Sequence, residues 1–345
     1  MNKHRFLGIL ALALAVCMVL AACGQQPAPT GGASTSAPAA TGKTYKVGIV
    51  QQTTHPALDG AREGVKKAFA DAGLTVEFVE KNAQNDVPTL TTIAEGFRDQ
   101  KVDMVIAIGT LPLQSAYNVL KDSGIPIVFN TVTDPYQAGA AKSATEHPGV
   151  TGVQALPPVQ AAFDLILAIK PDAKKVGNIW TSTEKNSEVA TGIARNYAKS
   201  KGITFVERQV TKADETLAAA ESLAGEKVDA IFISTDSTVV STLESVVKVA
   251  NENKIPLVCN DPASSGRGCV AALGLDYPDN GYRSVVEMAI PILKGEKKAD
   301  DIPIVRQTNN IVAINTAAAQ AQGVTIPDSL KSQAKQVFDT ITPKK

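Results

Sequence analysis

Lys46-Val47-Gly48 returns as Lys175-Val176-Gly177 about 130 residues later, and each tripeptide opens an apolar run rich in β-branched residues. Three more matches follow in the same order at nearly the same spacing: Gly73-Leu74-Thr75 with Gly202-Ile203-Thr204, Lys101-Val102-Asp103 with Lys227-Val228-Asp229, and Ile125-Pro126-Ile127-Val128 with Ile255-Pro256-Leu257-Val258. Self-similarity at one fixed period indicates a repeated structural unit. The chain therefore contains two similar halves.

Each half alternates short apolar runs with longer segments of helical periodicity. The runs cover residues 46–50, 75–79, 104–108 and 127–129 in the first half, and 176–179, 204–206, 230–233 and 257–259 in the second. This pattern predicts parallel strands joined by crossover helices, with both faces of each sheet buried. The predicted fold is α/β, with two Rossmann-like lobes, each built on a parallel sheet.

Polar residues follow almost every predicted strand. These ends are residues 51–55, 109–110 and 130–134 in the first lobe, and 180–187, 234–237 and 260–264 in the second. Open parallel sheets bind ligands beyond the carboxyl ends of their strands. If the two edges face each other, they form a cleft lined by neutral hydrogen-bonding groups, a few carboxylates and one indole.

The first 43 residues are expected to lie outside the fold. Lys3-His4-Arg5 precedes an apolar run over residues 6–22, which is typical of a cleaved export signal. The run ends in Leu20-Ala21-Ala22-Cys23-Gly24, which resembles a bacterial lipobox and implies acylation of Cys23, with palmitate among the acyl chains. Residues 24–43 lack large apolar side chains and predict a flexible tether. We therefore expect a lipoprotein on the outer face of the cytoplasmic membrane, held by its lipid anchor only.

Composition argues against several other classes of function. The 34 basic side chains are balanced by 34 acidic ones and form no cluster, so nucleic acid is an unfavourable partner. Three histidines offer little for a metal site, and the nucleophile-elbow, phosphate-loop and dinucleotide motifs are missing. We expect no cofactor, no metal and no catalytic residue.

The segment from residue 46 to 327 resembles the periplasmic-type substrate-binding lipoproteins of ABC importers, in the family that includes tryptophan- and tyrosine-type binding proteins. The stretches that carry the resemblance are His55-Pro56-Ala57-Leu58-Asp59-Gly60-Ala61, Val102-Asp103, Ile125-Pro126-Ile127-Val128-Phe129, Val132-Thr133-Asp134-Pro135, Thr151-Gly152-Val153, Glu184-Lys185-Asn186-Ser187, Thr235-Asp236-Ser237 and Gly274-Leu275-Asp276-Tyr277. Thr54 and Trp180 depart from the family, which usually has an acidic residue and a tyrosine there.

The resemblance implies a type I bilobal fold that captures a small polar solute, most readily an amino acid and possibly an aromatic one, by closing two lobes. Residues 44–152 and 276–306 would form lobe 1, and residues 153–275 and 307–345 lobe 2. The hinge would lie near residues 151–154, 272–276 and 305–311. The implied partners are an ABC permease and its ATPase, and we expect a monomer.

Two helix starts are candidate sites for a ligand carboxylate. Thr53, Thr54 and His55 precede the first helix, and Asn186 and Ser187 open its counterpart in lobe 2. Free amides and a partial positive charge at a helix start stabilise anions. The alternative, that these residues only cap their helices, stays open.

Candidates for the ammonium group are carboxylates at strand ends. Asp236 occupies the position that matches Thr110 in the repeat, so the two would approach the cleft from opposite walls. Asp134 and Asp261 precede prolines and are also typical turn formers. The remaining candidates at the cleft are Thr131, Asn260, Trp180 and Tyr277, with core packing as the alternative for Trp180.

Cys259 and Cys269 are ten residues apart across a glycine-rich loop. Outside the cytoplasm a disulfide between them is permitted, and two unpaired buried cysteines are the equal alternative.

Three other functions fit parts of this sequence. The same module could present its closed form to a sensory receptor, or an exported enzyme could use Asp236 and Asp134 as an acid/base pair. A nucleoside-binding lipoprotein is disfavoured, because the Asp-rich opening associated with that family is missing after Val50.

Overall fold

A computed structural model describes residues 43–343 of the chain. The predicted export signal, Cys23 and residues 24–42 of the predicted tether lie outside these residues. Within the described part, none of the helices has both the length and the apolar character that a membrane crossing requires.

Strands and helices alternate along most of the described chain. The strands are β1 (Tyr45–Gln51), β2 (Val76–Asn82), β3 (Met104–Ile108), β4 (Ile127–Val132), β5 (Val150–Gln154), β6 (Lys175–Thr181), β7 (Thr204–Val210), β8 (Ala230–Ile233), β9 (Leu257–Cys259), β10 (Ala271–Leu275), β11 (Val305–Arg306), β12 (Asn310–Asn315) and β13 (Gln336–Phe338). The helices are α1 (Pro56–Asp71), α2 (Val87–Asp99), α3 (Thr110–Leu120), α4 (Val159–Ile169), α5 (Lys185–Ser200), α6 (Thr216–Gly225), α7 (Ser237–Ser241), α8 (Leu243–Asn253), α9 (Ala263–Arg267), α10 (Tyr277–Ser284), α11 (Ile290–Leu293), α12 (Thr316–Ala321) and α13 (Asp328–Gln333).

The strands form two sheets, which confirms the predicted pair of α/β lobes. The first sheet has the order β11-β5-β4-β3-β1-β2 and is parallel throughout. The second has the order β13-β12-β10-β9-β8-β6-β7. Its β10–β12 pair is antiparallel, so this sheet is mixed rather than purely parallel. Apolar clusters fill both faces of each sheet, and all five residues of β3 are buried.

The repeated Lys-Val-Asp tripeptides have the same structural role in both lobes. Asp103 accepts a hydrogen bond from the Lys46 amide at 2.8 Å, and Asp229 accepts one from the Lys175 amide at 2.9 Å. Each aspartate thus ties the end of a helix–strand connection to the first residues of the first strand of its lobe, β1 or β6. Burial opposes ionisation of both carboxyls, yet these bonds leave the pKa of each one lowered.

The chain passes between the two sheets three times. It leaves the first sheet after Gln154, leaves the second after Leu275, and passes from β11 to β12 between Arg306 and Asn310. After the second passage, α10 packs closely on α1 of the first lobe. A Cβ atom on Gly281 would lie 2.0 Å from the Ala61 carbonyl oxygen, so only glycine permits this contact.

The structure joins Cys259 and Cys269 by a disulfide. The bond closes a loop between β9 and β10 that contains α9 and Asp261. This short loop lies at the carboxyl end of β9, where the sheet edge meets the other lobe.

Candidate functional site: a cavity between the lobes

A cavity lies between the carboxyl edges of the two sheets. Ligand sites in open parallel sheets are found at this edge. Lobe 1 lines it with His55, Ala57, Leu58, Gly109, Thr110, Thr131 and Thr133. The opposite wall consists of Asn186, Thr235, Asp236, Ser237, Val240 and Asp261, and two residues that follow passages between the sheets, Ala155 and Tyr277, complete the lining.

The lobe 1 wall favours a negatively charged group. The helices α1 and α3 both begin at the cavity, and the first amides of a helix have no acceptor within it. The hydroxyl oxygen of Thr110 is buried and has no hydrogen-bond partner among the described residues. No described lobe 1 residue in the lining is acidic, and Asp59, in the first turn of α1, lies outside the lining and pairs with Arg62. The two helix dipoles therefore favour an anion at this wall.

Thr131 reaches the same wall through an unusual backbone. Its φ of 58° is left-handed, and it lies where the β4–β5 register shifts. The Asn280 side chain of α10 accepts a hydrogen bond from the Thr131 amide at 2.7 Å. Residues held in this region of φ are concentrated at functional sites, so the strained position supports a role for the wall.

Two buried carboxylates organise the lobe 2 wall, Glu184 and Asp236, each 1% exposed. One Glu184 oxygen accepts from the Ser237 amide at 3.1 Å and Asn186 Nδ2 at 2.9 Å. The other accepts from the Thr238 amide at 2.9 Å and the Thr238 hydroxyl at 2.6 Å. Burial, and secondly the nearby Asp236 charge, raise the pKa of Glu184 to about 7.

Asp236 lines the cavity, but its lone pairs are already used. Oδ1 accepts from the Thr181 hydroxyl at 2.8 Å and the Val239 amide at 2.9 Å. Oδ2 accepts from the Thr181 amide and the Ser187 hydroxyl, both at 2.6 Å. A carboxylate has about four acceptor positions, so this arrangement leaves none for an incoming ammonium group. Burial raises the pKa of Asp236 in spite of these bonds.

Asn186 presents a hydrogen-bond acceptor to the cavity. Its Nδ2 donates to Glu184 Oε2 at 2.9 Å and to the Thr235 carbonyl oxygen at 2.8 Å. Its Oδ1 is buried without a partner among the described residues, and so is the hydroxyl of Thr235. These two oxygens require a donor, which a bound ligand can supply.

Asp261 is a buried carboxylate with spare acceptor capacity. It is 2% exposed, and its side chain accepts from the Ser264 hydroxyl at 2.7 Å and the Ala263 amide at 3.2 Å. Arg267 is bonded to Glu244 and the Val240 carbonyl oxygen instead. Burial raises the pKa of Asp261, and burial followed by the Asp261 charge raises the pKa of Tyr277. A cation entering the cavity would compensate this charge.

Comparison with known proteins assigns the family. A family model described as ABC transporter substrate binding protein matches residues 46–338. The chain belongs to this family. The predicted resemblance to substrate-binding proteins of ABC transporters is thereby confirmed.

Two relatives of this substrate-binding protein have names or titles that state a ligand. It is 38% identical over 287 residues to the tyrosine-binding protein of Clostridioides difficile (strain R20291). The match covers 81% of each chain. It is also similar to a crystal structure of an ABC domain in complex with L-Trp from Streptococcus pneumonia. That structure has a TM-score of 0.81 and 29% identity, and the match covers 86% of this chain and 100% of that one.

A third similar structure is a ligand-free one. The ligand-free, open structure of a substrate binding protein with adhesive properties from Clostridium difficile has a TM-score of 0.64, at 32% identity, with 86% and 100% of the two chains covered. By TM-score this chain is therefore more similar to the tryptophan complex than to the open structure. Within the present structure, Asn85 reaches Ser241 from the other side of the rim, at 3.4 Å.

The structure brings seven of the predicted site residues to the cavity and leaves six outside it. Those in the lining are His55, Thr110, Thr131, Asn186, Asp236, Asp261 and Tyr277. Those outside the lining are Thr53, Thr54, Asp134, Trp180, Ser187 and Asn260.

The first three residues outside the lining have local roles in lobe 1. Thr53 lines a separate cleft at the rim, together with Asn85 and Ser241. Thr54 is exposed and accepts a hydrogen bond from Asn82 at 3.0 Å. Asp134 accepts from the amides of Tyr136 and Gln137 and so forms a turn. Asp134 and Asp236 therefore do not meet at one cavity as an acid/base pair.

The other three lie in lobe 2, where Ser187 and Asn260 are buried and Trp180 is partly buried. Trp180 lies within β6, opposite Gln209 of the edge strand β7, because this strand continues two residues beyond its apolar run. Ser187 is bonded to Asp236, and Asn260 Nδ2 donates to the Leu273 carbonyl oxygen at 2.9 Å. Trp180 thus lies inside the strand rather than past its end, and it is not among the residues that line the cavity.

Sequence reasoning also missed eight lining residues. They are Ala57, Leu58, Gly109, Thr133, Ala155, Thr235, Ser237 and Val240. Most of them lie in or beside the polar strand ends that the sequence identifies. Their place at these strand ends could therefore have predicted them as lining residues. Ala155 had a different signal, since it directly follows residues 151–154 of the predicted hinge.

Proposed function

We propose that this protein binds an aromatic amino acid as a zwitterion between its lobes and delivers it to the permease of an ABC importer. The observation that supports this proposal most strongly is that the two walls of the cavity suit opposite charges. Helix starts and the Thr110 hydroxyl on lobe 1 suit a carboxylate, whereas Asn186, Thr235 and Asp261 on lobe 2 suit an ammonium group. This assignment replaces Asp236 as the predicted ammonium ligand.

The aromatic class rests on relatives and on the lining. Two similar proteins have tyrosine or L-Trp in their names or titles. Between the two polar walls, the side chains of Leu58, Val240 and Tyr277 offer an apolar surface for a ring. Closure would follow from the ligand itself, because only a molecule with both charges completes both walls and shifts the lobes toward the closed state.

A thermal-shift screen of the purified protein tests the ligand class. L-Tryptophan, L-tyrosine, L-phenylalanine, nucleosides and sugars are compared at equal concentration. A ligand at about 100 times its dissociation constant stabilises the native state by roughly 2.7 kcal/mol. We expect shifts with aromatic amino acids, and a shift only with nucleosides or sugars would contradict the proposal.

Delivery and anchoring need a separate test in cells. We propose that Cys23 is acylated, that the protein is held on the outer face of the cytoplasmic membrane, and that a permease and its ATPase receive the ligand. Deleting the gene is expected to reduce uptake of radiolabelled ligand, and Cys23→Ala to release the protein from the membrane fraction. Normal uptake together with a lost transcriptional response to the ligand would favour the sensory alternative.

A further inference from the structure

Glu184 contacts two parts of the lobe 2 wall, the starts of α5 and α7, although it is outside the cavity lining. It binds the first two amides of α7, at Ser237 and Thr238, and the Asn186 side chain at the start of α5. The four hydrogen bonds that it accepts all come from neutral donors. No cation among the described residues forms an ion pair with it. A buried carboxylate in this position is costly to keep, which suggests a role beyond packing.

The carboxylate determines which way the Asn186 amide points. Asn186 Nδ2 meets two acceptors, Glu184 Oε2 and the Thr235 carbonyl oxygen. If the amide were turned by 180° with Glu184 ionised, its oxygen would face both acceptors and three oxygens would meet without a proton between them. The amino group is therefore held toward Glu184, and the unpartnered Oδ1 remains for the cavity.

We propose that Glu184 is a positioning residue that selects for an amine-bearing ligand by fixing Asn186 with its carbonyl oxygen toward the cavity. The inference rests on the proposed function, because it concerns the same site. It assigns specificity to a residue that does not touch the ligand. A ligand with an ammonium group beside Asn186 gains a hydrogen bond to Asn186 Oδ1. A ligand with an anionic group there is repelled by the same oxygen.

Glu184→Gln tests this mechanism. Glutamine has one acceptor oxygen where Glu184 has two, and when its NH₂ group faces Asn186, a reversed Asn186 amide relieves the clash by turning its own amino group toward the cavity. The affinity of the purified full-length protein for L-tryptophan is expected to fall by about tenfold to a hundredfold. The affinity for indole-3-propionate, the same molecule without its amino group, is expected to change by less than about threefold, because it makes no bond of this type.

A second substitution separates positioning from general damage. In Glu184→Gln/Asn186→Asp, the new carboxylate can accept from the introduced glutamine with one oxygen and present the other to the ligand. The double variant is expected to regain affinity for L-tryptophan to within about fivefold of the original protein, which is a coupling that independent sites would not show. Glu188→Gln is the matched control. Glu188 lies on α5, as Asn186 does, but it is exposed and pairs with Lys185.

Calorimetric titrations of the four proteins with both ligands give distinguishable outcomes. Unchanged L-tryptophan affinity in Glu184→Gln, equal losses for both ligands, or no recovery in the double variant would overturn the positioning role. If the unsubstituted protein binds none of the aromatic amino acids, the proposed function itself fails. If Glu184→Gln does not fold, a crystal structure with L-tryptophan decides: an ammonium nitrogen within about 3 Å of Asn186 Oδ1 supports the inference, and a carboxylate there overturns it.

Discussion

The Ser187 hydroxyl donates to Oδ2 of Asp236 over 2.6 Å and completes the set of four hydrogen bonds to that carboxylate. Asp236 therefore lies at the ligand cavity without an acceptor to offer the ligand. Its bonds hold β6, α5 and α7 together. The Asp236 carboxylate therefore stabilises the wall of the cavity and does not bind the ligand.

Asp236→Asn is expected to lower the stability of the protein without changing its preference for amines. The asparagine NH₂ group would face donors that now bind a carboxylate, which costs about 1–3 kcal/mol for an unsatisfied buried group. Urea denaturation measures the loss, and titrations with L-tryptophan and indole-3-propionate measure the preference. A selective loss of L-tryptophan affinity at unchanged stability would return Asp236 to the role of ammonium ligand.

Asp261→Asn is expected to have the opposite profile. Asp261 has spare lone pairs at the cavity, so its neutral analogue should bind L-tryptophan about tenfold more weakly or worse, because hydrogen bonds to charged groups contribute about 1.5–3 kcal/mol. Removing an unpaired buried charge should leave the unliganded protein as stable as before, or more so.

Asp134→Asn is the control for Asp261→Asn. Asp134 also precedes a proline and also accepts backbone amides, but it lies outside the cavity lining. Its substitution is expected to leave the L-tryptophan dissociation constant unchanged. Equal effects of the two substitutions would mean that Asp261 acts only through its turn.

Thr110→Val tests the carboxylate side of the cavity. The substitution removes a buried hydroxyl that has no partner among the described residues and keeps the shape of the side chain. Affinity for L-tryptophan is expected to fall by about threefold to tenfold, while affinity for L-tryptophanamide, which lacks the carboxylate, changes less. Thr54→Val, at an exposed position outside the lining, is the control. Equal losses for both ligands would place the carboxylate elsewhere.

The stability of the protein is expected to depend on pH through Glu184. Its pKa is about 7 in the native state, mainly because it is buried, against an ordinary value of 4.5. Between these values the native state binds more protons than the unfolded state, so the contribution of Glu184 to stability falls as the pH rises from about 4.5 to 7. The raised pKa of Asp236 acts in the same direction.

The measurement is the free energy of unfolding of the original protein and of Glu184→Gln at pH 5, 6, 7 and 8. The free energy of unfolding of the original protein minus that of Glu184→Gln is expected to decrease from pH 5 to 7 and then to level off. A difference that stays constant over this range would show that Glu184 is not perturbed by its surroundings.

The fold could be predicted from the sequence because its signals are local. Apolar runs mark the strands, and the repeated Lys-Val-Asp tripeptides reflect bonds such as Asp103 to Lys46 that each half makes for itself. The position of the cavity followed from the same reasoning, since strand ends are visible in the sequence and parallel strands bring them to one edge.

The roles of individual carboxylates could not be predicted in this way. Asp236 looks available in the sequence because its bonding partners Thr181 and Ser187 are 55 and 49 residues away. Asp261 looks like an ordinary turn residue because its own bonding partners are two and three residues away, and only the assembled wall shows that it is buried. The difference between the two depends on long-range hydrogen bonding, which residue type and spacing do not encode.

The central claim is that one amino acid must engage both walls at once through its two opposite charges. Isothermal titration of the purified protein with L-tryptophan, tryptamine and indole-3-propionate tests it most directly. We predict one tight site for L-tryptophan and binding at least about a hundredfold weaker for each analogue, since each lacks one of the two charge-assisted contacts. Either analogue binding as tightly as the amino acid would contradict the claim.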